Sequence, residues 1–75
     1  MERKILFPNL IAELAKQGIS IAALAKKMGI SSTALYAKVK GATQFTLKDI
    51  DTITTILAEN NEGVEMGYLF KKAGA

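Results

Sequence analysis

Thr33, Tyr36, Ala37 and Lys40 stand at i, i+3, i+4 and i+7, the spacing that lines up four side chains on one face of a helix. Their chemistry is recognition rather than bond-making. The hydroxyls donate or accept hydrogen bonds, the phenol adds a flat ring, the methyl seeks apolar contact and the ammonium seeks an anion. Ser31 and Ser32 add two hydroxyls just before this face, and Lys38, Thr43 and Gln44 extend the polar set toward the following loop. No acid interrupts the region. Lys16, Lys26, Lys27, Lys38, Lys40 and Lys48 fall between Leu14 and Lys48 without an Asp or Glu, whereas Asp49, Asp51, Glu59, Glu62 and Glu65 crowd the later part. Such a division suits a surface that faces phosphates, with the acidic part turned away from the nucleic acid.

Other chemistries lack their residues. There is no histidine and no cysteine, which removes the commonest general base, the usual zinc ligands and any disulfide. No phosphate-cradling glycine loop and no carboxylate pair stands out, so neither an enzyme nor a cofactor or metal site is expected. A small domain without disulfides reads as intracellular, here cytoplasmic. Pro8, Asn9 and Glu13 break the apolar run behind the charged amino end, so neither a signal peptide nor a membrane span is expected. The 75 residues read as one domain, 1–75, with 1–7 and 71–75 flexible.

The elements that must position these residues are helical. Pro8 suits a first helical position and Gly18 a stop, giving a helix from Pro8 or Asn9 to Gln17 with Leu10, Ile11, Leu14 and Ala15 on one face. Ser20 caps a second helix, Ile21 to Met28, with Ile21, Leu24, Ala25 and Met28 inward, and Gly29 closes it. Ser31 or Ser32 caps a third, which ends near Lys40 before Gly41. Thr46 with Asp49 resembles a capping box, opening the longest helix, Leu47 to about Glu59. Its apolar face is Leu47, Ile50, Ile53, Ile56 and Leu57, and Phe45 serves as a hydrophobic staple. Val64 to Phe70 reads as a short final helix or turn that places Met66, Leu69 and Phe70 on the core. Lys4 to Phe7 reads as briefly extended, and no strand is expected. The fold class is therefore all-α, with four or five short helices.

Two helices joined by so short a turn cross steeply only where their closest point is small and the turn bends freely. Ala25 supplies the small contact, Gly29 the freedom, and Ile30 and Leu35 fill the wedge. The pattern Leu24, Ala25, Gly29, Ile30, Ser31 and Leu35, with Gly41 after the second helix and a further amphipathic helix beyond, resembles the helix-turn-helix of the lambda-type phage repressor and Cro family. The likeness runs over about residues 9 to 60. Two positions depart from it. Ile21 stands where many relatives carry a glutamine that braces against phosphate, and Lys38 stands where many are apolar.

The resemblance implies a DNA-binding transcriptional regulator, of a small phage- or prophage-encoded, repressor-like kind, with residues 32–40 in the major groove of double-stranded DNA. Ser32, Thr33, Tyr36 and Ala37 suit base edges and thymine methyls, and Ser31 with the helix start suits a phosphate. Lys38, Lys40, Thr43 and Gln44 are backbone-contact candidates. Arg, Gln and Asn are absent from this face, so part of the specificity falls to DNA shape. A homodimer is expected, with Ile53, Ile56, Tyr68, Leu69 and Phe70 as its surface. The alternative is a protein–protein adaptor that keeps the helical scaffold and binds a partner protein instead.

Overall fold

Hydroxyl side chains start the helices and glycines stop them. The computed structural model describes residues 5–73, along which run α1 (Pro8–Gln17), α2 (Ile21–Met28), α3 (Ser32–Lys40), α4 (Leu47–Ala58) and α5 (Met66–Leu69). The Ser20 hydroxyl accepts from the Ala23 N–H at the start of α2, and Ser31 does the same for Ala34 at the start of α3, both at 3.0 Å. The capping box of α4 is complete: Thr46 Oγ1 accepts from the Asp49 N–H, and the Asp49 carboxylate accepts from the Thr46 N–H. Each such cap meets a backbone N–H that the helix itself leaves unpaired. No strand forms among the described residues.

Every helix sends an apolar residue to one core. Leu10 and Leu14 come from α1, Leu24 and Ala25 from α2, Leu35 and Val39 from α3, Ile53 and Leu57 from α4, and Leu69 from α5. Phe7 joins them from ahead of α1 and meets Phe45 and Phe70 edge to face, with centroids 5.3 and 5.8 Å away; Phe45 and Phe70 are 5.1 Å apart. These three rings are all the phenylalanines of the chain. They join the segments before α1, before α4 and after α5 in the geometry that aromatic quadrupoles favour.

Three side chains differ from the faces expected of them, and one charged residue is buried. Ala15 is exposed. Leu47 is 85 % exposed at the start of α4, whose buried residues are Ile53 and Leu57. Met66 is 45 % exposed, since a helix of one turn turns only Leu69 inward. Glu13, a charged residue, is buried. Its carboxylate accepts from Gln17 Nε2 at 2.7 Å and Asn61 Nδ2 at 3.1 Å, while Gln17 Nε2 also reaches the Leu57 carbonyl at 3.0 Å. This polar staple joins α1 to the end of α4, where no glycine closes the helix. Hydrogen bonds from Gln17 first, then Asn61, hold the Glu13 carboxyl below the usual range against the opposing effect of burial, with Lys16 assisting.

Two main-chain bonds connect the described parts of the end segments to each other and to α3. The Leu6 N–H donates to the Val39 carbonyl at 3.0 Å, and the Leu6 carbonyl accepts from the Ala73 N–H at 2.8 Å. Residues 5–7 form no regular element but cross the end of α3. Lys4 and the remaining end positions, 1–3 and 74–75, lie outside the described residues.

Candidate nucleic-acid interface

The turn between α2 and α3 is held by its own backbone. The Ile30 N–H reaches the Ala25 carbonyl at 3.0 Å and the Gly29 N–H reaches that of Lys26 at 3.1 Å, the paired bonds of a Schellman stop. Gly29 takes φ +78° in open space, so what excludes other residues there is conformation and not room. Ala25, 1 % exposed, is the small contact at the crossing, and Leu35 and Val39 fasten the inner side of α3. Ile21, at the position where relatives carry the phosphate-bracing glutamine, is half-buried and packs against the core.

With that side fastened, the other side of α3 faces outward. Ser31, Ser32, Thr33 and Lys40 are exposed, and Tyr36 and Ala37 are half-buried. The cap is Ser31, which leaves the Ser32 side chain outside the capping bond. Lys40 Nζ lies over the Tyr36 ring, 5.1 Å from its centroid, a cation–π contact that gathers ring and charge into one surface. Beyond α3 the Ala42 and Thr43 N–H groups fold back on the Ala37 carbonyl at 2.9 and 3.4 Å. Thr43 and Gln44 are therefore exposed close to the end of the helix.

Lys38, a candidate backbone contact, is placed differently from Lys40. It is half-buried and ion-paired with the Asp49 carboxylate, the same group that caps α4. The acidic part of the chain is thus not wholly turned away from the basic part. Burial pushes the Asp49 carboxyl up, but Lys38 and Thr46 outweigh it and the net direction is down. Lys38 occupies a nominally apolar position of α3, which was the available signal, but its partner lies eleven residues on.

A recess of about 420 Å³ opens beside the loop after α3, with Thr43 and Gln44 on one side, Phe7, Phe45 and Phe70 beneath, and Lys72 on its wall. Nothing local in the sequence signals Lys72, because only the folded backbone carries it there. Among the described residues no cluster of acidic side chains is arranged to hold a metal, and no helix is long and apolar enough to cross a membrane.

A small residue at the crossing, a glycine stop and an outward helix side bearing hydroxyls and a lysine make a helix-turn-helix. The family described as the Cro/C1-type HTH DNA-binding domain matches residues 9–61, and the chain belongs to it. None of the curated proteins and none of the solved structures matches the chain.

Proposed function

We propose that the chain is a sequence-specific transcriptional regulator, a repressor of phage or prophage type acting in the cytoplasm, which lays α3 in the major groove as a homodimer. The observation that carries this reading is the outward side of α3, where Thr33 and Lys40 are exposed and Tyr36 is half-buried with the Lys40 ammonium over its ring, while Leu35 and Val39 hold the helix from behind. Ser32 and Thr33 hydrogen-bond base edges, and Tyr36 with Ala37 meets thymine methyls. Lys40, Thr43, Gln44 and the α3 start at Ser31 take phosphates. Lys38 contributes by holding α3 to α4. The absence of Arg, Gln and Asn from this face moves part of the discrimination into DNA shape.

One module makes few phosphate contacts, and a two-fold pair doubles them. Of the dimer surface expected from sequence, Ile53 and Leu69 are fully buried and unavailable. Tyr68, 50 % exposed, and Met66, 45 % exposed, are the exposed large apolar residues of α5 open to a second copy.

Selection of bound duplexes from a random pool at two salt concentrations tests the reading. The expected product is a two-fold site with half-sites about one helical turn apart, bound more weakly as salt rises. Tyr36→Ala then changes which sequence is enriched. Absent or salt-insensitive binding would sink the reading and favour the adaptor, and a protein that sediments only as monomer alongside an asymmetric site would sink the dimer.

A further inference from the structure

Lys72 lies 28 residues beyond Gln44 in sequence, yet the two share the wall of one recess, beside Thr43. We infer that Lys72, together with Thr43 and Gln44, forms a second binding site for a DNA phosphodiester, outside the helix-turn-helix proper. The inference rests on the DNA-binding reading above and adds to it a contact from the carboxyl-terminal tail.

The tail is held in place by main-chain bonds. The Ala73 N–H, next to Lys72, donates to the Leu6 carbonyl at 2.8 Å, and the Leu6 N–H donates to the Val39 carbonyl in the last turn of α3 at 3.0 Å. Leu6 thus works as a bracket between tail and recognition helix. The fit is close: a Cβ at Gly41 would stand 2.7 Å from Leu6 Cδ2. Phe70, two residues before Lys72, is fixed between Phe7 and Phe45. The main chain at Lys72 is thereby held beside Thr43 and Gln44.

The chemistry of the recess fits an anion. Among the described residues no acid lines it, and Lys72, which is exposed, is the one charged residue on its wall. The ion pair found among the described residues uses Lys38 and Asp49 and leaves Lys72 out. A compact, hydrated ammonium suits a phosphate oxygen, which positions a protein on the duplex without reading its sequence.

The test measures binding of the full chain to a random-sequence duplex of about two helical turns by fluorescence anisotropy, between about 50 and 200 mM salt. Lys72→Ala is expected to lower the slope of log affinity against log salt by about one, so that the affinity lost over this range shrinks on the order of threefold. Lys72→Arg keeps the slope. Lys71→Ala, whose side chain is exposed but outside the recess, leaves it unchanged. A Lys72→Ala slope equal to that of the parent, or an equal drop for Lys71→Ala, overturns the inference while leaving the DNA-binding reading intact. A parent chain that binds no duplex overturns both.

Discussion

Lys38 and Lys40 carry the same charge two positions apart, and the fold gives them opposite duties. Lys40 is exposed over the Tyr36 ring, whereas Lys38 is drawn against α4 by Asp49. Lys40→Ala is therefore expected to weaken binding to all duplexes alike and to lower the salt slope by about one, with little change in stability. Lys38→Ala does the reverse: stability falls by about 1 kcal/mol and the slope holds. Urea melts beside anisotropy titrations separate the two, and a Lys38→Ala variant with full stability and a reduced slope would return Lys38 to the phosphate contacts. At this scale the outward set Thr33, Tyr36, Ala37 and Lys40 was legible, because helical spacing alone assigns residues to a side. The engagement of Lys38 was not, since periodicity says which way a side chain leaves its helix and nothing about what waits there.

Among the elements, the two glycines flanking α3 answer differently to the same change. Gly29 and Gly41 both have positive φ, at 78° and 89°, so an added Cβ strains either by about 1 kcal/mol or more. At Gly29 that is all, for the space around it is open. At Gly41 the new carbon also meets the end of the Leu6 side chain, Cδ2, at 2.7 Å, and Leu6, packed against the core, must shift to admit it. Gly41→Ala is expected to melt at the lower temperature of the two; equal melting temperatures would mean that the Leu6 bracket yields without resistance. Helix limits were readable because their signals are local: Ser20, Ser31 and Thr46 start helices, and Gly18, Gly29 and Gly41 end them. Leu47 and Met66, expected on the core side, are the first residues of their helices and lie exposed, the inward places going to Ile53, Leu57 and Leu69. The bracket of residues 5–7 left no trace in the sequence, for its bonds are made by backbone, which every residue has.

For the molecule as a whole, acid stability follows from two carboxylates. Glu13 joins α1 to the end of α4, Asp49 joins α3 to α4, and both are held below their ordinary range. The unfolded chain then binds protons more readily than the folded one, so their stabilisation is complete above the unfolded values, about pH 4 to 4.5, and is lost as pH falls through the lowered folded values. Melting temperature is expected to be flat near neutrality and to fall below about pH 4.5, with Glu13→Gln flattening the fall. A profile unchanged by that substitution would show that the staple draws nothing from the charge. The Tyr36–Lys40 contact has one more consequence, and it is optical. The chain has no tryptophan and two tyrosines, Tyr36 on the outward side of α3 and Tyr68 on α5. Excited where phenylalanine does not absorb, its ultraviolet emission therefore comes from phenol, and a Tyr68→Phe protein would glow from α3 only. Docking on a duplex should dim that light without any attached dye, and a signal indifferent to added DNA would mean that the ring never meets the groove.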